Sequence, residues 1–172
     1  MNKIVIVFIV MYFFSCGAGI SDFTEELGNG YVYESFGQEL KNIRSPIAGQ
    51  KNIYGKVIQY VHDENFILVM QQPNEEVYRS ILAEEIISKN RNKYLNHSID
   101  DIKEGERLAD SLIANDPYYL LIFANKINYW IIYHKNRQIF GPFTEEEYDQ
   151  KRKEMKITDK LQLDSPEEKG AN

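Results

Sequence analysis

Residues 128–143 constrain the fold more than any other part of this 172-residue chain. They begin Asn-Tyr-Trp-Ile-Ile-Tyr-His, which puts large apolar side chains on both faces of an extended strand. Such a strand belongs in the centre of a sheet that is covered on both sides. Lys-Asn-Arg then supplies a polar turn, and Gln-Ile-Phe starts a returning strand. The segment therefore predicts a buried, central β-hairpin.

Other extended segments are predicted towards the N-terminus of this hairpin. Residues 56–61 and 66–71 are also apolar on both faces and predict a second hairpin. Residues 31–36 predict a strand, and residues 39–43 predict a weaker one. Residues 118–124 are apolar enough for a strand or a buried segment leading into the central hairpin.

Between the two hairpins, the apolar spacing changes from a period of two to the helical period. A helix is predicted to begin after Asn74 as its N-cap. A second begins at Ser98, where Asp101 three residues later completes a capping-box pattern, and it ends at Asn115-Asp116-Pro117. The short connection predicts that the two helices form an antiparallel pair lying on the sheet.

The C-terminal part predicts one more helix, because Thr144 and Glu147 form a capping-box pattern. The fold class is therefore predicted as α+β. We expect an antiparallel sheet of five or six strands, an inserted helical hairpin and a C-terminal helix. The predicted single domain covers residues 27–164, Leu161 and Leu163 dock on it, and residues 165–172 form a disordered tail.

The charge of the chain argues against nucleic-acid binding, and its cysteine content argues against a disulfide-stabilised fold. The chain has 20 Lys and Arg residues against 26 acidic ones, a net charge of −6. An acidic chain without a basic stripe is a poor partner for phosphate backbones, so nucleic acid is not an expected partner. The only cysteine, Cys16, excludes an intrachain disulfide.

The N-terminus predicts export. Residues 4–14 form an unbroken apolar run behind Lys3. A membrane-spanning helix needs about 20 apolar residues, whereas the apolar region of a secretory signal needs about 7–15. The run is therefore interpreted as a signal peptide over residues 1–15.

The end of this run resembles the lipobox of bacterial lipoproteins. It has the sequence Phe-Ser-Cys-Gly around Cys16, and Phe13 stands where that motif usually has Leu. The resemblance implies lipid transfer to the Cys16 sulfur, cleavage before Cys16 and acylation of its amino group by a fatty acid such as palmitate. Residues 16–26 would then be the anchor and tether of a membrane-anchored, extracytoplasmic protein in the bacterial envelope, at the inner or the outer membrane.

Two alternatives to lipidation remain open. Cleavage after Gly17-Ala18-Gly19 would release a soluble secreted protein, and an uncleaved signal would act as a membrane anchor. The first alternative discards the only cysteine, and the second requires a span shorter than usual. Lipidation explains the position of the lone thiol most simply.

Three further segments resemble an uncharacterised family of short bacterial predicted lipoproteins, a domain of unknown function. They are Leu-Gly-Asn-Gly-Tyr at 27–31, Asp-Glu-Asn-Phe-Ile at 63–67, and Asn-Tyr-Trp-Ile-Ile at 128–132 with its continuation to Gly-Pro-Phe at 141–143. The resemblance implies a strand-turn-strand after Asn-Gly-Tyr, and a hairpin in which Phe140 replaces the usual Tyr. The family implies no activity and no catalytic residues.

No catalytic motif or metal-ligand spacing is present, so we expect no enzyme activity, no metal and no cofactor. His62, His97 and His134 do not occur at a two-ligand helical spacing. His62 with Asp63 and Glu64 would supply part of a metal site, but a solvated turn is the expected role. His134 is expected at the surface near the turn.

Three hypotheses of function follow. The first is a non-catalytic, lipid-anchored envelope protein with a binding or accessory role towards another envelope protein. The second is a cell-surface glycan-binding module that uses Trp130, Tyr129 and Tyr133 as an exposed aromatic platform. The third is a hydrolase with a carboxylate pair that no motif identifies.

Overall fold

The structure is a computed structural model that describes residues 22–94 and 98–164. Cys16, the predicted signal peptide, His97 and the predicted tail lie outside the described residues.

A seven-stranded sheet forms the centre of the described chain, with its strands in sequential order. Neighbouring strands are antiparallel, except that the third and fourth strands along the chain pair in parallel through Lys41 and Lys56. The α+β class is confirmed, whereas the expected count of five or six strands is wrong. The strands are β1 Phe23–Gly28, β2 Tyr31–Ser35, β3 Lys41–Arg44, β4 Lys56–His62, β5 Phe66–Gln72, β6 Asn128–Tyr133 and β7 Gln138–Phe143.

Strand β1 occupies part of the segment that was expected to be a tether. It pairs antiparallel with β2, with Phe23 opposite Ser35 and Glu25 opposite Tyr33. Leu27 is the only fully buried residue of β1. The strand depends on the hydrogen-bond ladder of its neighbour rather than on an apolar face, so hydrophobic periodicity does not predict it.

Four helices complete the described fold, and each begins at a side-chain cap. They are α1 Glu75–Lys89, α2 Ile99–Asn115, α3 Pro117–Ala124 and α4 Glu145–Glu154. The predicted caps Asn74, Ser98 and Thr144 are confirmed, the last two as full capping boxes.

The strand considered for residues 118–124 is wrong, because α3 occupies them. Pro117 stands in the first turn of this helix, where its missing N–H removes no hydrogen bond. The Asp116 side chain accepts a hydrogen bond from the Tyr118 amide at 2.8 Å. An apolar composition without a clear period did not distinguish this short helix from a strand.

Both faces of the central strands are covered, as the sequence predicted. Ile67, Val69, Trp130 and Ile132 pack with buried residues of α1, α2 and α3. On the opposite face, alternate residues of β5 and β6 pack with Tyr148 of α4 and with the segment that follows it. These residues are Leu68, Met70, Tyr129, Ile131, Ile157, Leu161 and Leu163.

A polar network crosses the core on the α1 face. Gln71 is fully buried, and its side-chain oxygen accepts a hydrogen bond from the Trp130 indole at 2.8 Å. Its amide group donates to the Tyr78 hydroxyl at 2.9 Å, and Asn128 donates to the Gln71 oxygen at 3.3 Å. These bonds satisfy polar atoms that would otherwise be costly to bury, and they fix the register between β5 and β6.

Candidate binding cleft

A cleft of about 430 Å³ opens between the loop that follows β3 and helix α1. We call it the lysine cleft. It is lined by residues 45–52, by Leu82, Glu85 and Lys89 of α1, and by Tyr54 and Tyr119. Its volume falls within the range of small-molecule sites in proteins.

Hydrogen bonds within the loop hold one wall of the lysine cleft in place. The Ser45 amide donates to the Asn52 side chain at 2.8 Å, and the Ser45 hydroxyl donates to the Gln50 side chain. Gln50 also donates to the Arg137 carbonyl at 2.7 Å, which ties the loop to the β6–β7 turn. These hydrogen bonds hold the loop in place at its base and in its middle. The cleft therefore does not need a ligand in order to form.

Lys51 carries the distinctive charge of the cleft. Its ammonium nitrogen lies 4.7 Å from the centre of the Tyr118 ring and 4.9 Å from that of Tyr119. It donates a hydrogen bond to the Tyr119 hydroxyl at 3.2 Å. No carboxylate of the described residues forms an ion pair with it. The aromatic faces stabilise the cation without neutralising it.

Glu85, the carboxylate of the cleft, is already engaged. It accepts a hydrogen bond from Lys89 at 3.0 Å and one from the Tyr54 hydroxyl at 2.8 Å. Burial, reinforced by the Glu85 carboxylate, raises the pKa of Tyr54 to about 12, so this hydroxyl stays protonated at neutral pH. With Lys51 and Lys89 against Glu85, the lining of the cleft has a net positive charge in a chain of net charge −6.

A second, more open pocket of about 490 Å³ adjoins His134 and the β4–β5 turn. It brings His134 together with His62, Asp63 and Glu64, which are distant from it in sequence. His134 is only 5% exposed, so the expected surface position was wrong. Its Nδ1 accepts a hydrogen bond from Asn29 at 3.0 Å, whereas its buried Nε2 has no partner among the described residues.

This pocket lacks the ligand set of a metal site. Across residues 22–94 and 98–164, no cluster of three or more His, Cys, Asp or Glu side chains is placed to hold a metal ion. His62 instead lies beside Glu25, with its Nε2 3.6 Å from a carboxylate oxygen. Burial lowers the pKa of His134, which favours the neutral ring at neutral pH.

The three aromatic residues proposed as a platform do not form one in the structure. Trp130 is 2% exposed and Tyr129 is 5% exposed, and they point to opposite faces of β6. Tyr129 stacks on Tyr148 with ring centres 5.0 Å apart. Tyr133 is half-buried and stacks on Phe66, also at 5.0 Å. Trp130 and Tyr129 are core residues that present no platform to a glycan.

Sequence reasoning did not single out the residues of the lysine cleft. Lys51 and Tyr119 are 68 positions apart, and neither belongs to a motif. The only local signal was the break at Ser45-Pro46 and Ala48-Gly49, which predicts a loop but not its neighbours.

In the described part of the chain, no helix combines the length and the apolar character needed to cross a membrane.

Comparison with known proteins gives one match, which covers less than half of the chain. The family model described as "Protein of unknown function (DUF3997)" matches residues 103–167, from within α2 to beyond α4. The central hairpin at 128–143 lies in the matched part, whereas the segments at 27–31 and 63–67 lie outside it. No curated protein and no solved structure matches the chain.

Proposed function

We propose that this chain is a lipid-anchored, extracytoplasmic binding protein of the bacterial envelope, without catalytic activity of its own. The observation that carries the proposal is the position of the only cysteine, Cys16, at the end of an apolar run of signal-peptide length. Lipid chains contribute about 0.8 kcal/mol of membrane binding for each buried CH₂ group, so acylation at two positions would anchor the protein stably.

The start of the fold supports an anchor close to the domain. Six residues, 17–22, separate Cys16 from the first residue of β1. Even fully extended, at about 3.5 Å per residue, they reach only about 20 Å. The edge of the sheet formed by β1 would therefore stay near the membrane surface, and the tether would be shorter than the sequence suggested.

The lysine cleft supports a binding role for the domain. It is preformed, its lining is both polar and apolar, and its cation Lys51 has no carboxylate partner among the described residues. These features are typical of sites that orient a small ligand through a few polar groups. Glycan binding remains the second candidate, with the half-buried Tyr54 of this cleft in place of Trp130.

The test of anchoring is the intact mass of the N-terminal peptide from protein expressed in a bacterial host. We expect a peptide that starts at Cys16 and carries acyl chains, and its loss in Cys16→Ala. An unmodified chain starting near Ile20 or Ser21 would contradict the proposal and indicate a freely secreted protein.

A further inference from the structure

The lysine cleft presents two neighbouring hydrogen-bond donors that have no anionic partner among the residues that the structure describes. The Lys51 ammonium has three N–H groups, and one of them is used by the Tyr119 hydroxyl. That hydroxyl accepts from Lys51, so its own proton is available to a further acceptor. The two donor atoms are 3.2 Å apart, a spacing that suits the two oxygens of one carboxylate.

The rest of the lining favours a ligand body with hydroxyl groups. Asn52 donates to Tyr54 at 2.6 Å, and Tyr54 donates to Glu85, so a chain of hydrogen-bonded polar groups lines the cleft. Amide, hydroxyl and carboxylate groups of this kind can exchange hydrogen bonds with sugar hydroxyls. The half-buried Tyr54 ring adds apolar surface of the sort on which a sugar ring packs, whereas Tyr119 is 5% exposed and contributes its hydroxyl group.

The charged residues of the cleft leave one positive charge without a partner in the lining. Lys89 is paired with Glu85 at 3.0 Å, which leaves Lys51 as the uncompensated cation. One extra positive charge matches one carboxylate, whereas a phosphate group would bring more negative charge close to Glu85.

We propose that the lysine cleft binds a small sugar acid, with its carboxylate on Lys51 and Tyr119 and its hydroxyl groups along Asn52, Tyr54 and Glu85. This inference rests on the proposed binding function and specifies the ligand class. Because the carboxylate is the group recognised, a neutral sugar of the same size binds more weakly.

The test is calorimetric titration of the full-length chain in detergent micelles. Glucuronate is compared with glucose, and N-acetylmuramate with N-acetylglucosamine, because each acid carries a carboxylate that its neutral partner lacks (in N-acetylmuramate as part of a lactyl ether). We expect saturable binding of at least one acid and binding of its neutral partner at least about tenfold weaker, the usual size of a charged hydrogen-bond contribution.

Three variants assign the binding to the cleft. Lys51→Gln removes the ammonium and is expected to weaken binding of the acid about tenfold. Tyr119→Phe removes one hydroxyl and is expected to weaken it severalfold. Lys103→Gln removes the same charge from an exposed position on α2, outside the lysine cleft, and is expected to bind like the wild type.

Four results would overturn the inference. They are no binding of either acid, equal binding of an acid and its neutral partner, wild-type binding by Lys51→Gln, and stronger binding of inorganic phosphate than of the acids. None of them bears on the mass of the N-terminal peptide, so a failure here is distinguishable from a failure of the anchoring proposal.

Discussion

At the scale of single residues, the packing, the protonated nitrogen and the pKa of His134 depend on residues far from it in the chain. The β1–β2 turn covers its ring so closely that a Cβ on Gly28 would lie 2.8 Å from its Cε1. Asn29 donates to Nδ1, which places the proton of the neutral ring on Nε2. Asp63 raises the pKa of His134 and His62 lowers it, but burial is the largest effect and lowers the pKa overall.

This environment predicts that stability falls in mild acid. The folded pKa of His134 is depressed below its ordinary value of 6.5, so the unfolded chain takes up a proton before the folded chain does. The stabilisation is complete above about pH 6.5 and is lost as the pH falls through the folded pKa. We expect the melting temperature to decrease between about pH 7 and pH 5, as measured by circular dichroism.

His134→Gln should flatten this pH dependence, because no titrating ring is then buried at the site. His62→Gln is the matched control, since it removes the other histidine of the same pocket and should leave most of the dependence in place. If the melting temperature of His134→Gln fell with decreasing pH as steeply as that of the wild type, other titrating groups would be the cause of the lost stability.

At the scale of elements, Gly141 determines how closely β7 approaches β6. Its φ is 126°, a conformation that L side chains rarely adopt. A Cβ at this position would lie 2.8 Å from the Tyr129 carbonyl oxygen and 2.8 Å from Cε3 of Trp130. The pairing of β6 with β7 is irregular between Tyr129 and Ile131, on the part of β6 that faces Gly141.

Gly141→Ala is therefore expected to destabilise the protein by about 3 kcal/mol, from backbone strain and from overpacking against a carbonyl that has little freedom to move. Gly49→Ala is the control, since Gly49 has a φ of 82° but no atom within 4 Å of an added Cβ. Strain alone should cost about 1 kcal/mol there. Urea denaturation gives the free energy of unfolding of both variants. An equal loss in the two would contradict the claim that the close approach of β7 to β6 requires glycine at position 141.

At the scale of the whole molecule, β5 and β6 belong to both hydrophobic cores. Trp130 and Ile132 contribute to the core beneath α1, α2 and α3, while Tyr129 and Ile131 contribute to the one beneath α4. The two cores therefore share a backbone, and disrupting either removes support from the same central strands.

This arrangement predicts a single cooperative unfolding transition. Trp130 is the only tryptophan, and its burial predicts blue-shifted native emission that sugars do not quench. In urea, the midpoint from its fluorescence should coincide with that from far-UV circular dichroism.

Leu161→Ala removes a buried side chain from the core beneath α4 and tests whether the two cores unfold together. It should lower both midpoints together, through a loss of about 2–5 kcal/mol. Two separate midpoints would show that the cores unfold independently.

The sequence by itself determined the elements that depend on neighbouring residues. The caps at Asn74, Ser98 and Thr144 were predictable because a capping side chain bonds an amide three residues away. The burial of residues 129–132 was predictable because alternate side chains of a strand point to opposite faces, and both sets are apolar here. Lipidation of Cys16 stays a prediction from sequence alone.

Only the tertiary structure decided the candidate sites and the extent of the sheet. Lys51 meets Tyr119 across 68 positions, and Asn29 meets His134 across 105. Strand β1 forms because β2 offers it a hydrogen-bond ladder, although its own sequence has almost no apolar face. Such contacts arise from the packing of whole elements, and neither periodicity nor local spacing carries information about which distant residues that packing brings together.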